Sequence, residues 1–160
     1  MENTAPFHLF DVLNKRNVPL VIIGGHAVTY HGYVWATEDT DVVFLRNPDS
    51  EIALLSALEE LNACWIGSEV DPKTGIEKTY PVSLSFIRAN RLMMLFTDFG
   101  FLGLFDFIPG LPQEPVEQLF DTAVECKGRQ YVSLPWLRAM KTAANRPKDL
   151  IDLQNLPPFS

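Results

Sequence analysis

The chain has 160 residues, 47% of them hydrophobic and 21% charged. That length fits one domain, residues 1–160, around one core, and the apolar content is too high for a disordered chain. A formal net charge of −7 argues against a general polyanion binder, whose affinity comes from Lys and Arg neutralising phosphates. No apolar run approaches the ~18 residues of a membrane span, and the opening MENTAPFHLF has no basic flank before an apolar stretch. A cytoplasmic protein with no membrane association is expected. Cys64 and Cys126 stand outside any CxxC spacing and are read as reduced, packed thiols.

In chain order, Phe7, Phe10 and Leu13 predict an opening helix over Pro6 to Arg16. Pro19 to Ile23 is a continuous apolar run closed by Gly24-Gly25, the pattern of a buried strand ending in a tight turn. A short helix follows over His26 to His31. Thr40 to Leu45 reads as a second buried strand, ended by Asn47-Pro48. Asp49 or Ser50 can cap the next helix, in which Ile52, Leu55, Leu58 and Leu61 keep helical period as far as Asn62.

Gly67 to Thr79 is polar and turn-rich and is read as a loop. Strands are expected at Val82–Ile87, Leu92–Phe96 and Phe101–Phe107, before Pro109-Gly110-Leu111-Pro112 stops the sheet. The remainder is a helix near Val116–Thr122, an extended passage around Gln130–Ser133, a helix from Pro135 to about Asn145, and a helical segment after Pro147. Strands interleaved with helices and a helical tail make the fold class α/β or α+β with a mixed sheet.

Asp39 and Asp41 lie two apart at the start of an apolar strand, so the pleat turns both carboxylates to one side and Thr40 to the other. Such a pair can share a hard cation such as Mg2+, although D-x-D alone also suits an exposed turn. Gly24-Gly25 between a strand and a helix lets backbone N–H groups approach an anion, or simply closes a turn. From Lys127 to Lys148 there are six basic residues and no acid, a solvated helix face or an anion-binding surface. His26 and His31, five apart, are read as local packing residues. The Met93-Met94 pair and the Phe96 to Phe107 aromatics are read as core and sheet packing. Asp149 and Asp152 are read as surface partners of Lys141 or Arg146.

Taken together, Gly24-Gly25-His26-Ala27, His31-Gly32 and Thr37-Glu38-Asp39-Thr40-Asp41 resemble the G-G-x-A…H-G…T-x-D-x-D signature of small nucleotidyltransferase-fold proteins of the polymerase-beta superfamily. Leu134-Pro135-Trp136-Leu137, Met140-Lys141-Thr142-Ala143-Ala144, Arg146 and Lys148-Asp149 resemble their L-x-x-L…M-K-x-x-A…R-x-K-D segment. The resemblance runs from about Pro19 to Asp152. It implies a nucleotidyltransferase fold in which Gly24, Gly25, Thr37 and Lys141 bind the NTP, while Asp39 and Asp41 bind Mg2+ and carry the chemistry.

The implied reaction is transfer of an NMP to an acceptor hydroxyl, on RNA or protein, with pyrophosphate leaving. Relatives include AbiE-like toxins of toxin–antitoxin pairs, so an antitoxin partner is an expectation. Two positions depart from the signature. Trp35 stands where relatives usually carry arginine, and Gly103 stands where they place a third carboxylate. Asp106, three residues on, needs a bulge to reach the same face, and Asp98 needs a similar rearrangement. The same fold therefore also admits a degenerate member that binds nucleotide, RNA or a protein without transfer.

Overall fold

A computed structural model describes residues 5–33 and 40–158. Helix α1 (Ala5–Lys15) buries Leu9, Phe10 and Leu13 and ends before Asn17, whose φ of 65° breaks the helix. Strand β1 (Leu20–Ile23) is buried at every position, which is why its sequence shows no polar alternation. Helix α2 (Gly24–Tyr30) starts directly from it, two residues earlier than the sequence suggests, and β2 (Thr40–Phe44) follows. Helix α3 (Pro48–Glu60) is capped by Asn47, whose side chain accepts from the Ser50 amide at 2.8 Å while Ser50 Oγ accepts from the Asn47 amide. The cap precedes the expected Asp49 or Ser50 because Pro48 sits at the first helical position and holds Asn47 extended.

Two expectations are corrected in the next segment. Most of the anticipated loop Gly67–Thr79 belongs to a hairpin, β3 (Cys64–Val70) with β4 (Glu77–Pro81), and only residues 71–76 form the turn. These strands lie at one edge of the sheet and are largely exposed, so their polar sequence hides them. The expected strand Val82–Ile87 is instead helix α4 (Leu84–Ala89), started by Ser83, whose hydroxyl accepts from the Phe86 amide at 3.2 Å. A short apolar run cannot be told from a buried helical turn by periodicity alone. Strands β5 (Leu92–Thr97) and β6 (Gly100–Phe105) form a hairpin, followed by α5 (Glu117–Thr122), β7 (Val124–Cys126), β8 (Arg129–Tyr131), α6 (Leu134–Ala144) and α7 (Pro147–Asn155).

The eight strands form one mixed sheet in the order β4-β3-β5-β6-β2-β1-β8-β7. β2–β6 and β1–β8 run parallel, while the other neighbours are antiparallel. Alternation along the central strands splits the core between the two faces. Leu20, Ile22, Val42 and Leu102 pack with Leu9, Phe10, Leu54 and Leu58 of α1 and α3. Val21, Ile23 and Val43 pack with Ala27, Val28, Leu137 and Met140 of α2 and α6. Asp41, two residues before Val43, therefore shares the face covered by α2 and α6. Both cysteines are free thiols. No described helix is long and apolar enough to cross a membrane.

Candidate functional site

Strand register brings the glycines and Asp41 together. Antiparallel pairing sets Ile23 opposite Asp41, and parallel pairing sets Gly103 beside it. Gly24 turns the chain at a φ of 66°, a left-handed conformation that glycine adopts without strain. A Cβ at Gly24 would stand 3.2 Å from Asp41 Oδ2, and a Cβ at Gly103 would overlap Asp41 Oδ1. The carboxylate thus lies in a slot between two glycines, in the space that a side chain at residue 103 would need. Thr40 points to the other face, where its hydroxyl lies 3.3 Å from His26 Nε2, as the pleat requires. Asp39, Thr37 and Trp35 lie outside the described residues.

This slot opens on a cavity of about 500 Å3. Gly24, Gly25 and Asp41 form one wall, and Met94 and Phe105 form an apolar one. Lys141 of α6, Arg146 and Lys148 at the start of α7, and the carboxylates of Asp149 and Asp152 also belong to the lining. Met94 is 55% exposed and so contributes to the cavity rather than to the core, where Met93 is buried. A second depression, between α3 and β4, has no basic residue and lies away from these groups.

Lys141 reaches the cavity from the C-terminal helices, but it is buried and already paired. Its Nζ is 3.0 Å from Asp152 Oδ2 and 3.3 Å from Asp149 Oδ1. Asp149 and Asp152 are 0% and 1% exposed, so the expected surface pairing is corrected to a buried ion cluster. The reason is tertiary: α7 folds back on α6 and carries both carboxylates beneath it. Asp149 also accepts from Arg146 Nε at 2.7 Å, from Nη2 at 3.2 Å and from the Arg146 amide at 3.1 Å. Burial pushes the Asp149 carboxyl up, but these hydrogen bonds and the charges of Lys141 and Arg146 outweigh it and hold the group below its ordinary range. Asp152 Oδ1 is buried with no hydrogen-bond partner. The Arg146 guanidinium is more firmly protonated still, chiefly through its hydrogen bond to Asp149, with Asp41 among the charges that act on it.

Neither candidate for the third acid reaches the cavity. Asp106 accepts from Arg46 Nε at 2.7 Å and Arg91 Nε at 2.8 Å, a cluster that also holds Glu51 on Arg46. β6 keeps regular register with both neighbours, so the odd offset from Gly103 turns Asp106 to the other side. Asp98 accepts from Asn62 at 2.6 Å at the turn between β5 and β6. Among the described residues no group of three or more His, Cys, Asp or Glu side chains could hold a metal. His31 Nε2 lies 2.8 Å from the Val132 carbonyl, a packing role like that of His26.

A mixed sheet with helices on both faces, a glycine turn leaving β1 and an aspartate on the neighbouring β2 define a nucleotidyltransferase fold, and solved structures agree. The antibiotic-resistance factor ANT(2'')-Ia matches with a TM-score of 0.56 at 18% identity, over 94% of this chain and 80% of that one. An antigenic nucleotidyltransferase-like protein from Paracoccidioides brasiliensis matches with a TM-score of 0.53 at 17% identity, over 96% of this chain and 75% of that one. At these identities the likeness is one of fold. No protein-family model matches the sequence, and no curated protein matches it.

Proposed function

We propose that the chain, as one domain, binds a nucleoside triphosphate with Mg2+ in the Asp41 cavity and transfers its NMP to an acceptor hydroxyl. The observation that carries this reading is the Asp41 carboxylate lodged between Gly24 and Gly103 in a cavity that Lys141, Arg146 and Lys148 also line. An all-oxygen donor set suits a hard cation. Asp41, with Asp39 two residues before it, would hold one Mg2+, which when bound neutralises phosphate charge. Gly24 and Gly25 keep the backbone open beside the phosphates, and Thr37 completes the nucleotide contacts. A second ion would need an acid at residue 103. Asp98 and Asp106 are committed elsewhere, so slow transfer is expected.

The acceptor in this reading is an RNA or protein hydroxyl in the cytoplasm, and an antitoxin is the regulatory partner. The second reading, a nucleotide binder without transfer, is favoured by the glycine at residue 103. Calorimetry with a nonhydrolysable NTP and labelled-nucleotide transfer to total RNA and protein distinguish the two, with Asp41→Ala as control. Mg2+-dependent binding lost in Asp41→Ala, with slow transfer by wild type, supports the first. Binding with transfer no higher than in Asp41→Ala selects the second. A wild-type protein that binds no NTP overturns both.

A further inference from the structure

The cavity lining holds three cations in three different states, and only two of them are available to a ligand. Lys141 Nζ lies between two carboxylates that are themselves buried, at 3.0 and 3.3 Å. One ammonium facing two carboxylates is already overcompensated. Asp152 has one buried oxygen without a hydrogen-bond partner, so drawing Lys141 toward a phosphate would strip the other oxygen of its ion pair as well. Leaving a buried carboxylate unpaired costs far more than an exposed contact returns.

Arg146 is exposed where Lys141 is buried. Its side chain is 56% exposed, and Asp149 engages only the Nε and Nη2 edge, leaving Nη1 outside those bonds. A fully buried carboxylate therefore fixes the orientation of an exposed guanidinium close enough to Asp41 to feel its charge. That is the arrangement in which arginine reads an oxyanion, since the planar fork is set before the ligand arrives. Lys148, two residues on, is exposed, lines the same cavity and has no ion-pair partner among the described residues. Asp149 and Asp152 balance Lys141 and Arg146, which leaves Lys148 as the charge that offsets Asp41 in the same lining.

Resting on the nucleotide reading above, we propose that Arg146 and Lys148 hold the phosphate chain, and that Lys141, already neutralised by Asp149 and Asp152, makes no phosphate contact. The sequence motif points to Lys141; the ion pairs move the phosphate contact one helix further along. A phosphate chain between Asp41 and these two cations would have its negative charge met from both sides once a cation sits on Asp41.

The test is calorimetric titration of the full chain with Mg2+ and inorganic tripolyphosphate, and with Mg2+ and a nonhydrolysable ATP analogue, at several salt concentrations. Three proteins are compared: wild type, Arg146→Gln/Lys148→Gln, and Lys141→Met/Asp152→Asn. The last removes one positive and one negative charge together, keeps the Asp149–Arg146 pair, and has its folding checked by urea midpoint. Arg146→Gln/Lys148→Gln is expected to weaken both ligands at least tenfold and to flatten the salt dependence of binding, because fewer charge pairs between protein and ligand remain for salt to screen. Lys141→Met/Asp152→Asn is expected to stay within about threefold of wild type with an unchanged salt slope, because no charge pair with the ligand is lost. A tenfold loss with a flatter slope in that folded variant, or wild-type affinity in Arg146→Gln/Lys148→Gln, overturns the proposal and leaves the nucleotide reading standing. Absence of any triphosphate binding by wild type overturns both.

Discussion

Replacing Gly103 with aspartate would supply the acid that β6 lacks, and the structure sets the cost. A Cβ at residue 103 overlaps Asp41 Oδ1, so Asp41 must rotate before any side chain can enter the slot. Neighbouring strands lie about 4.8 Å apart. Two carboxylates at that spacing repel by roughly 3.5 kcal/mol at an effective dielectric constant of about 20. Screening over a Debye length of about 8 Å lowers this to about 2 kcal/mol. Gly103→Asp is therefore expected to lose about 2 kcal/mol of unfolding free energy in a chelator and to regain most of it in millimolar Mg2+, which binds the paired carboxylates of the folded state only. Urea titrations of wild type and variant, with chelator or with Mg2+, read this from midpoints at constant slope. The same variant should transfer labelled nucleotide faster than wild type. An equal stability loss in chelator and in Mg2+ would refute the reasoning, because the cost would then be steric and the two side chains would share no ion.

Asp106→Ala should cost about 2 kcal/mol, below the ~3–5 kcal/mol of a fully buried broken pair, because Arg46 keeps Glu51 and the carbonyls of Ile87 and Asn90. NTP binding by the folded variant should equal wild type, and a binding defect at unchanged stability would place Asp106 in the site after all. Burial holds the His26 imidazole below its ordinary pKa. The unfolded chain therefore takes up a proton near pH ~6.5 while the folded chain still resists it. This part of the stability is complete above that pH and is lost as the pH falls below it. Urea midpoints at pH 8 and pH 5 should drop less in His26→Gln than in wild type, and equal drops would remove His26 as the cause.

The central strands and the glycine turn were legible in the sequence because each is a local pattern. Leu20–Ile23 and Thr40–Phe44 are apolar runs bounded by turn residues, and both form strands at the middle of the sheet. Helix α1 follows from periodicity, and α6 and α7 from prolines near their starts; α3 forms as expected but buries Leu54, Ala57 and Leu58, while Ile52 of the expected stripe is exposed. Where a segment is short or lies at an edge, local pattern fails. Val82–Ile87 has an apolar content that suits strand or helix, and a single hydroxyl cap at Ser83 with packing on α3 made it α4. Gly67–Val70 is polar enough to read as a loop and belongs to a strand only because β4 pairs alongside it.

The candidate site divides in the same way. The order of Gly24, Gly25 and Asp41 along the chain foretells that they meet, since a strand, a turn and a neighbouring strand are close in sequence. Sequence also exposes the glycine at 103, but only the parallel register of β2 and β6 shows that its missing side chain is filled by Asp41 itself. The state of the cations could not be read from spacing at all. Lys141, Arg146 and Lys148 look alike in a basic segment, and the turn after Asn145, with a φ of 51°, folds α7 back so that Asp149 and Asp152 bury against Lys141 while Arg146 stays exposed. Which charge is available is a property of burial and pairing across two helices, and those distances exist only once the chain has closed on itself.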